Sequence, residues 1–273
     1  MENDIKEIQE KILEIAIYFD HLCQAMGITY YLMGGSALGA MRHKGFIPWD
    51  DDLDVFMTFD NYTKILDATE QHLDKERFYL QREHTAEWPM YFSKLRMNGT
   101  TFIEEDTKNR DMHKGLYIDI MCLNNVSDNK VYHLFQYLAA RLLTISTLAE
   151  RGYITDSRIK KIAIFSSQFL IGETIRKLLI RFVRSKNKEK TALVGHFFGR
   201  ARFSKTSFPS QYLGTPRYLP FSNVLLPVPQ EVEKYLKIRY GNSFMEHPDE
   251  RTKSQYPQHS AFVDLSTDYR EYE

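Results

Sequence analysis

Asp52 and Asp54 flank Leu53 and run into the apolar triplet Val55, Phe56 and Met57. Side chains two positions apart on a strand share a face, so the two carboxylates are expected to project together while Leu53 and Val55 face the opposite layer. Two ionised carboxylates this close repel each other, and a cation between them removes that cost. Oxygen-only donors suit Mg2+ or Mn2+, held by one or two carboxylates and completed by substrate phosphate. The plainer alternative is a solvated acidic turn at Asp50, Asp51 and Asp52, and the alternation with apolar residues speaks against it. Asp119 offers a third carboxylate, alone in the apolar run Tyr117-Ile118-Asp119-Ile120-Met121. Burying it unpaired costs on the order of several kcal/mol, so a cation or a donor is expected beside it. It could bind metal or accept a proton as general base; a structural ion pair with Lys or Arg is the alternative.

Gly34, Gly35 and Ser36 lie just upstream. The glycines let backbone approach a ligand closely, and Ser36 opens a short helix whose free N–H groups and dipole favour an anion. Arg42, His43 and Lys44 form a basic cluster at the far end of that helix. They are suited to phosphate, or to capping the helix as ordinary cations. Trp49 could stack on a base or a quaternary ammonium, or simply pack. Glycine turn and acidic strand together point to chemistry on a phosphate ester or anhydride.

These residues need a frame. Ile5, Ile8, Ile12, Ile15, Phe19, Leu22 and Met26 recur at helical spacing, and Gly27 ends the pattern. The spacing predicts strands over 28–33 and 52–57, a helix over 61–73, and strands over 91–97, 100–104 and 116–121. The order implies an α+β fold, with a small mixed sheet flanked by helices. Residues 1–129 are expected to form the catalytic core and 130–205 a basic helical subdomain. A C-terminal segment, 206–273, is expected to pack back on the core, with a strand over 223–228 and a helix over 230–240.

The chain has 273 residues, and its 36 basic and 36 acidic side chains cancel, which removes any global case for nucleic acid. Residues 130–190 hold 13 Lys and Arg against 4 Asp and Glu, leaving 23 basic and 32 acidic elsewhere. Cys23 and Cys122 lie in apolar patterns rather than metal-ligand spacing. The first residues lack a signal-peptide pattern, and no apolar run reaches the roughly 18 residues that span a bilayer. A cytoplasmic location is expected.

The stretch Gly34-Gly35-Ser36, then Arg42-His43-Lys44-Gly45-Phe46-Ile47-Pro48-Trp49-Asp50-Asp51-Asp52-Leu53-Asp54-Val55, strongly resembles the LicD family, to which fukutin-related proteins are also related. The resemblance continues through Lys94-Leu95-Arg96, Thr100-Thr101-Phe102 and 113–120, with a weaker echo at Val228-Pro229, Tyr240-Gly241, Pro248 and His259. It implies a nucleotidyltransferase-like fold and transfer of phosphocholine from CDP-choline, or ribitol phosphate from CDP-ribitol, to cell-surface glycans. Carried onto this chain, it implies metal at Asp52 and Asp54, with Asp119 as the third carboxylate. Gly35, Ser36 and Arg42 become phosphate contacts. Gly34, His43, Lys44, Trp49, Asp50 and Arg96 complete the expected substrate-binding set. Cys122 departs from the family's proline, and Asn242-Ser243-Phe244-Met245 lacks the acidic residue usual after the Tyr-Gly pair.

The expected activity is Mg2+-dependent transfer of a phospho-alcohol, phosphocholine first, from a CDP-linked donor. The acceptor is a hydroxyl of a cell-surface glycan or teichoic acid precursor, which could be lipid-linked, and CMP is released. The alternatives are nucleotidyl transfer to a small molecule or polynucleotide, or an inactive nucleotide-binding module. Basic and apolar residues intermix over 176–190, which could touch the inner face of the cell membrane or form an ordinary solvated helix.

Overall fold

The computed structural model describes residues 5–150, 157–199, 201–254 and 258–272. Helix α1 (Ile5–Ala25) buries Ile8, Ile12, Ile15, Phe19 and Leu22, the stripe read from the sequence, and Gly27 turns the chain at φ +62°. Next come β1 (Tyr31–Leu32), α2 (Gly34–His43), β2 (Asp54–Thr58) and α3 (Phe59–His72). Four strands follow: β3 (Phe78–Gln81), β4 (Ser93–Met97), β5 (Thr101–Glu104) and the long β6 (Tyr117–Val126). The α+β class expected from the pattern is borne out. Strand β2 is shorter than expected, since it begins at Asp54 and Asp52 lies in the loop before it.

The central sheet runs β1-β2-β6-β4-β3. Among the described residues only β2 and β6 pair in parallel, with Asp54 opposite Asp119, Val55 opposite Ile120 and Phe56 opposite Met121. Strand β4 lies antiparallel on the other side of β6, with Lys94 opposite Asp119 and Arg96 opposite Tyr117. Asp54, Asp119 and Lys94 therefore form one row across three strands. Helices α1 and α3 pack on this sheet, and Leu53, Val55, Met57, Ile118 and Ile120 are each at most 1% exposed. A fully buried side chain of this kind contributes about 1.5–3 kcal/mol, which fixes the register of the row.

Helices α4 (Lys130–Glu150), α5 (Arg158–Leu170) and α6 (Glu173–Val183) follow. The helical texture ends sooner than its composition suggests. After α6, Asn187 accepts the Asn125 N–H at 2.7 Å and donates to Asn124 Oδ1 at 3.0 Å, bringing the chain back to the sheet. There β7 (Leu193–Gly195) pairs with the far end of β6 and with β8 (Ser207–Pro209). Arg184 also departs from the solvated basic run expected over 176–190: it is turned inward, 2.7 Å from Glu83. Among the described residues no helix is long and apolar enough to cross a membrane.

The remaining chain forms the hairpin β9 (Arg217–Phe221) and β10 (Val224–Val228), helices α7 (Val232–Tyr240) and α8 (Glu250–Lys253), and β11 (Ser260–Asp264). Strand β11 pairs antiparallel with β5. Helix α7 packs on α2, so late residues reach back to the Gly34 turn.

Candidate active site

Gly34 takes φ +62°, a left-handed conformation that a side chain resists, and its missing Cβ would stand 3.3 Å from Asp54 Oδ2. A Cβ on Gly35 would stand 3.1 Å from Asp50 Oδ2. The glycine turn is thus the wall against which the acids sit. Ser36 is buried, and its Oγ accepts the Asp54 backbone N–H at 2.8 Å, locking helix to strand. The Gly34 N–H donates to the Tyr235 hydroxyl at 3.0 Å, and no side chain caps α2.

Four carboxylates share this space. Burial pushes Asp54 well above the ordinary carboxylate range, and the charges of Asp52, Asp119 and Asp50 push it further. Asp50 is pushed up to about 8 by burial and by Asp52, to which it is hydrogen-bonded. Burial also raises Asp52 and Asp119, against the opposing pull of His259 on the first and Lys94 on the second. Asp119 lies 3.3 Å from Lys94 Nζ, so the ion-pair alternative is present too. Lys94 Nζ is the close donor to Asp119 Oδ1 and pulls its carboxyl down, although the approach is not well aligned.

Buried carboxylates crowded this closely, with one ammonium against them, fit a hard divalent cation in kind. Among the described residues, however, no three His, Cys, Asp or Glu side chains already stand in ligating positions about one point.

Lys94 was not singled out among the candidate site residues, and it is central to the site. It is 2% exposed, 3.5 Å from Glu104 Oε2, and its Nζ lies 3.1 Å from the centre of the Tyr117 ring. Its signal was the alternation Lys94-Leu95-Arg96 inside a strand buried on both faces.

Arg96 is not placed as a substrate contact. It is fully buried, donating to Gln81 Oε1 at 2.8 Å and the Gly115 carbonyl at 2.7 Å. Arg42 is likewise engaged elsewhere, donating to the carbonyls of Glu246 at 2.9 Å and Phe244 at 3.3 Å. His43 accepts from Arg42 Nε, and Lys44 caps α2 in a left-handed conformation. Half-buried Trp49 has Lys253 Nζ 5.0 Å from its ring centre. The structure thus gathers Gly34, Gly35, Ser36, Asp50, Asp52, Asp54 and Asp119 and sets the basic cluster apart, holding the C-terminal chain.

Asp51 serves that attachment. Its side chain is fully buried and accepts from the N–H groups of His259 and Ser260 at 2.9–3.0 Å, and from the Ser260 hydroxyl at 2.9 Å. Burial alone would raise its carboxyl, but these bonds, with His259 Nδ1 at 3.0 Å, hold it below the ordinary range. His259 is pushed up to about 9, chiefly by that bond and then by the Asp52 charge. Removing one partner of such a buried pair costs about 3–5 kcal/mol. Asp51→Ala is therefore expected to release β11, with amide exchange over 260–264 faster by at least about 100-fold. Unchanged protection there would mean that pairing with β5 alone holds the strand.

Residues 27–128 match the family model described as LicD/FKTN/FKRP, nucleotidyltransferase domain. Over 266 residues the chain is 29% identical to lipopolysaccharide cholinephosphotransferase LicD of Haemophilus influenzae, covering 93% of this chain and 96% of that protein. A segment of 42 residues is 50% identical to human ribitol 5-phosphate transferase FKRP, covering 15% of this chain and 8% of that protein. Mannosyltransferase regulator 4 of Saccharomyces cerevisiae is 26% identical over 147 residues, 51% of this chain and 12% of that protein. The LicD resemblance read from the sequence is borne out.

Proposed function

We propose that this chain, whose residues 27–128 match a LicD/FKTN/FKRP nucleotidyltransferase domain, transfers a phospho-alcohol group from a CDP-linked donor to a glycan hydroxyl and releases CMP. Phosphocholine is the first candidate for the transferred group, since the relative aligned over nearly the whole chain is a cholinephosphotransferase. The observation that carries this reading is the gathering of four carboxylates from two strands and one loop against the Gly34-Gly35 turn.

Asp52, Asp54 and Asp119 are the assigned holders of Mg2+ or Mn2+, which when bound supplies charge stabilisation to the donor's two phosphates. The uncapped start of α2 offers the Gly35 and Ser36 N–H groups to an oxygen of the same diphosphate. An acceptor hydroxyl oxygen attacks the phosphorus that carries the alcohol. The bond from that phosphorus to the bridging oxygen breaks, and CMP departs with the electron pair. The acceptor's proton passes to a carboxylate of the cluster, Asp119 in this assignment, where Lys94 stabilises the charged form beforehand.

The protein is assigned to the cytoplasm, in keeping with buried Cys23 and Cys122, neither of which forms a disulfide. The transfer reaction is tested by incubating the protein with CDP-choline, CDP-ribitol and CDP-glycerol, each with a glycan acceptor and Mg2+. CMP release from one donor, abolished by EDTA and restored by Mg2+ or Mn2+, is the expected result. Pyrophosphate release from CTP without CMP release from any donor would replace this reading with nucleotidyl transfer.

A further inference from the structure

The helices after the central sheet present a surface that the transfer chemistry does not use. Between Val131 and Leu148 every exposed side chain of α4 is apolar. Val131, Leu134, Phe135, Leu138 and Leu142 are 41–63% exposed and recur at helical spacing. They form one stripe about 16 Å long at 1.5 Å per residue. Helix α4 packs on both α5 and α6, which expose Phe165 at 63% and Leu178 at 59%. Monomeric soluble proteins seldom leave so contiguous an apolar face to water.

The charge carried by the two helices packed on α4 favours one kind of partner for it. Lys161 is exposed one helical turn before Phe165, and exposed Lys177 and Arg181 lie within a turn of Leu178. Residues 130–190 carry 13 basic and 4 acidic side chains, and of the acids Glu173 already pairs with Lys177 at 3.2 Å. Two copies meeting through this face would bring like-charged rims together. A bilayer bearing anionic lipid instead takes the apolar stripe and attracts the rim.

We propose that the α4–α6 layer lies on an anionic membrane surface, with the α4 stripe inserted at the boundary of headgroups and acyl chains. The site differs from the basic stretch 176–190 taken alone, because Arg184 of that stretch is paired inside the fold. Aromatic Phe135 and Phe165 are suited to the interfacial depth, and Lys161 and Arg181, with Lys177 once exchanged from Glu173, to lipid phosphate. The inference rests on surface chemistry alone and stands or falls apart from the transfer reaction.

Co-sedimentation of the full chain with phosphatidylcholine vesicles, with and without phosphatidylglycerol, tests it at low and high salt. Binding is expected to the phosphatidylglycerol vesicles at low salt, weaker by about tenfold or more at high salt. Phe135→Ser with Leu138→Ser should lower partitioning about tenfold or more. Lys177→Glu with Arg181→Glu should lower it comparably and flatten the salt dependence. These side chains are exposed, so circular dichroism and CMP release toward a soluble acceptor should match the unmodified chain. If the serine pair nonetheless fails to fold, the charge pair decides. No low-salt binding to phosphatidylglycerol vesicles overturns the proposal, as does full binding by both variants. A dimer in sedimentation that the serine pair splits would assign the stripe to a second copy instead, overturning it as well.

Discussion

Asp54→Asn is expected to lower the CMP-releasing rate by about 10³-fold, equivalent to about 4 kcal/mol of barrier, while raising the melting temperature of the metal-free protein. Both effects have one cause. Asp54 lies beside Asp119 in the parallel ladder and is crowded by Asp52 and Asp50. Like charges directly opposite in a sheet destabilise by up to about 1 kcal/mol. Relieving that in a chain of this size shifts melting by about 2–4 °C. Such a trade of stability for activity is what the proposed cation site predicts. An unchanged rate would remove Asp54 from the reaction. A lowered melting temperature would mean that its carboxylate is a structural acceptor.

Lys94→Met should have the opposite signature in the fold. Lys94 is the buried cation facing both Glu104 and Asp119. Breaking such an arrangement from one side costs about 3–5 kcal/mol because charge is left uncompensated. For a chain of this size the expected fall in melting temperature is about 6–20 °C. Adding Glu104→Gln removes one stranded carboxylate and should recover part of the loss, which a double-mutant cycle read by thermal unfolding would measure. If Lys94→Met melts within a degree or so of the parent chain, the row across β2, β6 and β4 is not held by charge.

Much of this arrangement was legible in the residues. Local periodicity fixed α1 and the apolar backing of Asp54, and an isolated acid in an apolar run marked Asp119 as a buried group needing a partner. The partner itself was not legible. Lys94 is 25 positions away (119 − 94), and only the antiparallel register of β4 on β6 sets it opposite Asp119. The same limit explains Arg42 and Arg96. Their types suit phosphate, but one is taken up by carbonyls of residues 244 and 246 and the other by Gln81 and Gly115. Ser36 was found by its position at a helix start, whereas its bond to the Asp54 backbone depends on how helix and strand cross. A basic, apolar composition over 130–199 reads as helix throughout. The return strand Leu193–Gly195 is fixed instead by side-chain amides that bind the edge of β6.

The matched domain ends at residue 128, yet the loop that carries its acids is fastened by His259 and Ser260. Those parts are separated by 132 positions (260 − 128), which a ribosome adding about 5–20 residues per second covers in about 7–26 s. Throughout that interval the nascent chain holds its aspartates without the strap that seats them. A copy that stops before His259, or is cut ahead of it by a protease, is therefore expected to bind nucleotide poorly and turn over little. Dependence on a strand made so long after the loop it fastens would make activity a report on synthesis past residue 260.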